Sequence, residues 1–132
     1  MRIFWAVAVG AALGGVSRFY LGSLIQQRAG LDFPAGTLVI NITGSFLLGF
    51  IMRYALQSSV VSPEVRALLT TGFCGGYTTF STFSYETAQL LEDGEYARGA
   101  MYVGASVALA LIGTFLGFAA ANRLLALREA VG

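Results

Sequence analysis

The chain has 132 residues, of which 56% are hydrophobic and only 11% are charged, and its mean hydropathy is +0.71. Soluble domains carry about 25% charged residues, so this composition indicates an integral membrane protein. The net charge is +1, lysine is missing and the arginines are scattered, which excludes a nucleic-acid-binding surface. With no histidine and a single cysteine, Cys74, histidine-based catalysis, His/Cys metal sites and an intramolecular disulfide are excluded.

Four hydrophobic stretches are long enough for a helical crossing, which needs about 20 apolar residues. Three carry no charge: residues 33–52, 67–85 and 99–122. The first, residues 3–27, contains Arg18. It also resembles a cleaved signal peptide, but it continues into further apolar residues, so we expect it to be retained. These stretches predict an all-α membrane protein with four transmembrane helices.

Local signals set the expected helix ends within a single domain, residues 1–132. Ser62, Pro63 and Glu64 form a strong helix start, with a capping hydroxyl, a proline at the first helical position and an acidic residue near the positive end of the dipole. Glu92, Asp93 and Gly94 form a stop signal. Loops are expected at residues 31–34 and 58–63, and the predicted helices cover residues 3 to about 27–30, 36–56, 63–91 and 95–125.

The arginines give only a weak signal for orientation in the membrane. Four crossings place both termini and the second loop on one side, with five arginines against three on or near the other side. This positive-inside bias is shallow. Insertion in both orientations and a single orientation with a weak bias both remain open. The five are Arg2, Arg53, Arg66, Arg123 and Arg128, and the three are Arg18, Arg28 and Arg98.

Glycines recur at a spacing typical of helix packing in lipid. Gly10 and Gly14 lie four residues apart, as do Gly113 and Gly117. Small residues at this spacing let two membrane helices approach closely. We therefore expect tight helix pairs here, although this pattern identifies no function.

The third hydrophobic stretch contains the most unusual segment, residues 72–84 (GFCGGYTTFSTFS). Its glycines are expected to interrupt the helix near Gly75–Thr78, and residues 78–84 contain five hydroxyl residues and two phenylalanines. Lipid offers no hydrogen bonds to a broken backbone, so such a break survives only inside protein or beside a water-filled path. The segment therefore indicates an ion or solute pathway.

Polar residues on the neighbouring helices fall into stripes, because residues three or four apart share a helix face. Such hydroxyls often bond back to their own backbone, and Asn41 could simply pair between helices. The phenylalanines could equally be core or lipid-facing residues. The stripes are Thr37, Asn41 and Ser45 in helix two, Phe80 and Phe83 with Ser81 and Ser84 in helix three, and Tyr102, Ser106 and Thr114 in helix four, where Ala110 fills the gap.

A lining of this kind suits a small anion. The Asn41 amide carries two donors, and a phenylalanine ring has a positive edge. A lining without full positive charge can pass an anion without trapping it. Arg18 could supply positive potential to an anion vestibule or extend to the membrane surface, and Glu86 could mark a pathway mouth or the surface itself.

Three motifs resemble the CrcB/Fluc family of bacterial fluoride channels: residues 14–18 (GGVSR), 36–46 (GTLVINITGSF) and the 72–84 segment. The resemblance covers essentially the whole chain. It implies passive, fluoride-selective export across the bacterial inner membrane and no enzymatic activity. It also implies a dual-topology homodimer, in which two antiparallel subunits form two pores.

The resemblance also implies roles for individual residues. Phe80 and Phe83 would point ring edges at fluoride, and Asn41 would donate to the ion. The family's polar track is in question at one step, since some relatives carry a hydroxyl where this chain has Ala110. Further residues implied along the pathway are Tyr102, Ser106, Ser81, Thr82 and Thr114, with Glu86 near a pore end and Arg18 in the vestibule.

The break takes a second role in the family. Backbone carbonyls at Gly75 and Thr78, one pair from each subunit, would hold a structural sodium ion at the dimer centre. Two other functions remain as alternatives, a small four-helix multidrug exporter and a non-conducting assembly subunit. The four apolar spans contain no carboxylate of the kind that proton-coupled exporters generally need, which argues against the exporter.

Overall fold

The structure, a computed structural model, describes residues 1–30, 32–58 and 60–131. This part of the chain is helical, without strands, which confirms the predicted all-α class. Leu31 and Ser59, in the two predicted loops, and Gly132 lie outside the described residues. The helices are α1 (Arg2–Ala29), α2 (Ala35–Gln57), α3 (residues 63–77), α4 (Phe80–Glu92) and α5 (Tyr96–Val131).

Three of the helices, α1, α2 and α5, are long and apolar enough to cross a membrane. The predicted third span is divided into α3 and α4, so the four predicted helices are present with the third one broken. Helix α5 runs six residues past the predicted end at 125. Its last turns are rich in Leu, Ala, Arg and Glu and contain neither Gly nor Pro, so no helix stop is present there.

The start of α3 agrees with the sequence signals. The Ser62 hydroxyl accepts a hydrogen bond from the Val65 N–H at 3.3 Å, and Pro63 occupies the first helical position. From Leu68 to Cys74 the helix has the wider π-helical form, and Gly75–Tyr77 completes α3. π-helical turns are uncommon and frequently occur at functional sites.

The break lies at Thr78, the end of the predicted interval, and continues to Thr79, whereas Gly75 does not take part in it. Gly75 is helical, with φ −64° and ψ −39°, and the extended residues are Thr78 and Thr79. The reason is that the neighbouring glycines serve helix packing. A Cβ atom on Gly76 would lie 2.5 Å from the Ala11 carbonyl oxygen, so this glycine lets α3 approach α1 without leaving the helix.

The predicted glycine pairs do pack the helices together. A Cβ atom on Gly10 would lie 2.9 Å from the Cα of Gly72, and Gly14 meets α3 one turn further along. On α5, Gly113 and Gly117 lie against the backbone of α2 in the same manner. In both helix pairs, residues with higher numbers in one helix contact residues with higher numbers in the other. Helix α1 therefore runs parallel to α3, and α2 runs parallel to α5.

Candidate functional site

The break between α3 and α4 is held by one side chain from α2. The Nδ2 of Asn41 donates to the Thr79 carbonyl at 2.9 Å, and the Thr79 N–H donates to Asn41 Oδ1 at 2.8 Å. Thr79 also caps α4, because its hydroxyl oxygen accepts from the Thr82 N–H at 3.2 Å. Asn41 therefore takes the place of the backbone groups to which Thr79 would bond in a continuous helix, and it fixes the conformation of the break.

The break leaves backbone carbonyls available to other partners. In a continuous helix the Thr79 N–H would bond to the Gly75 carbonyl, but here it bonds to Asn41. The Thr78 carbonyl accepts from Nη1 of Arg18 on α1 at 3.4 Å. Gly75 is exposed on the subunit surface. The carbonyl oxygens of Gly75 and Thr78 are hard donors, of the type that a cation of low polarisability prefers.

Next to the break lies a cavity of about 310 Å³, named here the phenylalanine cavity. It brings together four of the residues proposed for the fluoride pathway: Asn41, Phe80, Phe83 and Ser106. The two phenylalanine rings lie 5.5 Å apart, and Phe80 is 78% exposed. The Ser106 hydroxyl is buried and has no hydrogen-bond partner among the described residues. The cavity therefore offers an unused donor together with two phenylalanine rings.

Behind this cavity, three side chains form what we call the Glu86 cluster: Thr37, Glu86 and Tyr102. The carboxylate of Glu86 accepts from the Thr37 hydroxyl at 2.8 Å and from the Tyr102 hydroxyl at 2.6 Å. Tyr102 is fully buried, and its ring contacts Phe83 at 5.3 Å between centroids. The cluster therefore joins α2, α4 and α5 and supports one wall of the phenylalanine cavity.

A larger cavity of about 830 Å³, the Arg18 cavity, lies on the other side of α2. Arg18, Thr82 and Glu86 line it, so it carries one positive and one negative side chain. Glu86 also borders a smaller cavity of about 280 Å³ with Asp32 and Asp93 near the ends of α2 and α4. The two charged residues proposed from sequence thus line one cavity, next to the break.

The remaining proposed residues lie elsewhere. Ser81 is exposed, and its hydroxyl lies 3.3 Å from that of Thr79. Thr114 lines a separate groove of about 570 Å³, the Arg53 groove, in which the Arg53 guanidinium lies 4.5 Å from the centroid of the Phe118 ring. Among the described residues, no single cavity contains all of the proposed pathway residues.

Thr79 is the central residue that the sequence reasoning passed over. A threonine with a second hydroxyl residue three positions later, at the start of a helix, is an N-cap signal, and Thr79 with Thr82 has this spacing. The hydrogen-bond partners of Glu86 were also missed. No sequence signal could have identified them, because they lie on helices far apart in the chain.

Comparison with known proteins places this geometry in a family. The family model described as CrcB-like protein, Camphor Resistance (CrcB), matches residues 5–118. A protein of Geobacter sulfurreducens named "Fluoride-specific ion channel FluC" is 51% identical over 124 residues, which cover 94% of this chain and all of the relative.

Two further relatives carry the same name. The protein of Geotalea daltonii is 50% identical over 88% of this chain and 94% of its own length. That of Aquifex aeolicus is 43% identical over 89% of this chain and 95% of its own length. The match covers the break, the phenylalanine cavity and the Glu86 cluster, and it extends over nearly the full length of both relatives. The chain therefore belongs to the CrcB family.

Proposed function

We propose that this chain is a fluoride-selective ion channel of the bacterial inner membrane, which passes fluoride out of the cell without chemical catalysis. The relatives that match almost the whole chain are named for this activity. The structural observation that carries the proposal is the phenylalanine cavity, where the unpartnered Ser106 hydroxyl lies with Asn41, Phe80 and Phe83. An anion that accepts hydrogen bonds fits this lining.

The divided third span completes a fourth crossing. Because α3 runs parallel to α1, α2 returns the chain across the membrane between them, and α4 continues in the direction of α3 to the end where α5 begins. Phe83 and Glu86 of α4 contact Tyr102 near the start of α5, which places the two helices antiparallel. The break therefore lies within the membrane, between two helical halves.

Each group in the phenylalanine cavity supplies a specific contact to fluoride. Asn41 uses one of its two Nδ2 protons on the Thr79 carbonyl, which leaves the second for the ion. Ser106 donates its free hydroxyl, and Phe80 and Phe83 present the positive edges of their rings. Since none of these four residues carries a charge, the ion is attracted weakly enough to move on.

The charged residues shape the approach to the cavity. Arg18 raises the local potential for an anion in the Arg18 cavity, where Thr82 offers a hydroxyl. Glu86 is held away from the ion path by its bonds to Thr37 and Tyr102. Ser81, beside the break, and Thr114, in the Arg53 groove, extend the polar lining.

A passive channel is sufficient to protect a cell from fluoride. Hydrogen fluoride crosses lipid as a neutral acid and dissociates in a near-neutral cytoplasm, which traps the anion. A membrane potential is worth about 2.3 kcal/mol per charge per 100 mV. At about 1.4 kcal/mol per decade, an inside-negative potential of this size sustains a roughly fifty-fold outward distribution of fluoride. The same potential would be lost if chloride passed as well, so selectivity is essential.

The functional unit is an antiparallel homodimer. Phe80 is 78% exposed and Gly75 is exposed in the isolated subunit, although both belong to the break. A second copy would cover them and would join the separate cavities into continuous pores. The weak arginine bias fits a chain that inserts in both orientations.

A sodium ion at the dimer centre fits the carbonyls of Gly75 and Thr78. In the isolated subunit the Thr78 carbonyl accepts from Arg18 at 3.4 Å, a contact that a sodium ion would have to replace. Two carbonyls from one subunit cannot complete the shell of a hard cation, so the site requires both subunits. The bound ion would neutralise the carbonyl dipoles that the break exposes within the membrane.

Fluoride efflux from liposomes that contain the purified protein tests the function. With a potassium ionophore to clamp the voltage, we expect rapid release of fluoride and no release of chloride. Uptake of a cationic dye driven by a proton gradient would instead support the multidrug exporter. Flux of neither fluoride nor dye from the purified protein alone would support the assembly subunit.

A further inference from the structure

The hydroxyl stripe on α5 offers fewer free donors than its sequence indicates. The Tyr102 hydroxyl donates to Glu86 at 2.6 Å. The Thr114 hydroxyl donates to the carbonyl of Ala110, its own helical neighbour, at 3.1 Å. Of the three hydroxyls on this stripe, Ser106 is the one whose proton has no partner among the described residues. Fluoride can therefore use only one full donor from α5.

A gap follows on the Thr114 side of Ser106. At 1.5 Å of rise per residue, the step of eight positions from Ser106 to Thr114 spans about 12 Å along the helix. The position between them on the same face is Ala110, which has no polar group. A fluoride ion that has left its water and moves along α5 would meet no side-chain donor over this distance.

One residue of α2 lies opposite the gap. Ser45 lines the phenylalanine cavity together with Ser106 and Ala110. Its carbonyl lies 3.5 Å from the Thr114 hydroxyl, which fixes its level along α5 near that end of the gap. Ser45 also follows Asn41 by one helical turn, so both face the cavity from the same side of α2.

We propose that Ser45 is a permeation residue, whose hydroxyl donates to fluoride between Ser106 and Thr114 in place of the hydroxyl that α5 lacks at Ala110. This proposal deepens the proposed channel function and rests on it. It predicts that a hydroxyl at this position in the cavity supports fluoride efflux, whether α2 or α5 supplies it.

The test is fluoride efflux from liposomes with Ser45→Ala, followed by a hydroxyl placed back on the other helix. A lost hydrogen bond to an anion slows passage by about tenfold, and we expect that reduction for Ser45→Ala. Adding Ala110→Ser to this variant should restore efflux to within roughly threefold of the original chain. The matched control adds Ala108→Ser instead, at an exposed position of α5, and should restore nothing.

Efflux from Ser45→Ala within twofold of the original chain would overturn the proposal, as would equal recovery from Ala108→Ser and Ala110→Ser. If Ser45→Ala does not assemble, the near-isosteric pair Ser45→Thr and Ser45→Val replaces it, and equal efflux from these two would count against Ser45. A chain that releases no fluoride before any substitution would contradict the channel function itself. Normal efflux from the original chain with no effect at position 45 would contradict only this proposal.

Discussion

The Glu86 cluster and the phenylalanine cavity share a wall, yet they use their polar groups in opposite ways. In the cluster, both carboxylate oxygens of Glu86 accept protein hydroxyls. In the cavity, the Ser106 hydroxyl is buried without a partner among the described residues. Burying an unpaired hydroxyl costs about 1–3 kcal/mol, so the cavity tolerates a cost that the cluster avoids. This difference separates groups that hold the wall from groups that are left for an ion.

Asn41 belongs to both regions, so its replacement should have the largest effect. Asn41→Ala leaves the N–H and carbonyl of Thr79 without partners and should lower the free energy of unfolding by about 2–4 kcal/mol. It also removes the donor to fluoride, so efflux should fall to background. Unfolding in detergent and liposome efflux measure the two effects. Asn41→Asp serves as a control that keeps the bond from the Thr79 N–H. An Asn41→Ala protein as stable as the original chain would contradict the role of Asn41 in holding the break.

Gly75 tests whether the exposed side of the break is covered by a second copy. A Cβ atom there would meet only the Thr70 carbonyl oxygen, at 3.9 Å, so Gly75→Val should leave the subunit folded. In the dimer it should weaken assembly and remove the dependence of assembly on sodium, as measured by size-exclusion chromatography with and without sodium. Gly104→Val, in open space on α5, is the matched control. A Gly75→Val protein that dimerises normally and still responds to sodium would contradict both the proposed interface and the proposed metal site.

The break itself shows how far the sequence predicts this structure. The segment and its four-helix frame are correctly identified from hydrophobic lengths, and the pairs at Gly10 and Gly113 pack as expected. The break falls at the end of the predicted interval and not at its glycines, because a glycine can either loosen a helix or let two helices meet. Only the position of Ala11 beside Gly76 decides between these, and that contact lies 65 residues away in the chain.

Phe80 and Phe83 should differ in the same way, because only Phe83 also packs against the Glu86 cluster. Phe80→Ile removes a ring that has little packing within the subunit, so fluoride efflux should fall by about a hundredfold with little change in unfolding. Phe83→Ile also loses its contact with Tyr102 and should destabilise the protein by about 1 kcal/mol. Phe115→Ile, at a ring that is 66% exposed on α5, controls for the loss of an aromatic side chain. Normal efflux from both cavity variants would remove the rings from the pathway.

Ser106 offers a test in which flux and stability should separate. Because its hydroxyl has no partner among the described residues, Ser106→Ala should leave the free energy of unfolding within about 0.5 kcal/mol or raise it slightly. Efflux should fall by about tenfold, since a donor to the ion is lost. A variant that is clearly less stable would mean that the hydroxyl bonds to protein, and the distinction between the two regions would fail.

Tyr102 should show the reverse behaviour and the smallest change in flux. Tyr102→Phe removes one donor from Glu86 but keeps the ring, so stability should fall by about 1–2 kcal/mol. Efflux should change by no more than about threefold, because the Tyr102 proton is already committed to the carboxylate. A larger loss of efflux than in Ser106→Ala would place Tyr102 directly on the ion path.

The sequence could not show which hydroxyls already donate to other protein groups. The stripes at Asn41 and Ser106 indicate which helix faces are polar, but the pairing of Thr37 with Glu86 depends on how α2 and α4 are aligned. The same holds for Thr114, whose spacing on α5 suggests a free hydroxyl although it donates to the Ala110 carbonyl. Helical spacing determines which residues share a face, while tertiary packing determines which of them keep a free donor.

The most direct test of a passive, fluoride-selective path is the reversal potential of the current through the purified protein in a planar bilayer. With a tenfold fluoride gradient and an opposing chloride gradient, the potential should settle at about 59 mV, set by fluoride alone and unchanged by a pH gradient. A reversal potential that follows the chloride gradient, or that moves with pH, would contradict selective passive conduction through the phenylalanine cavity.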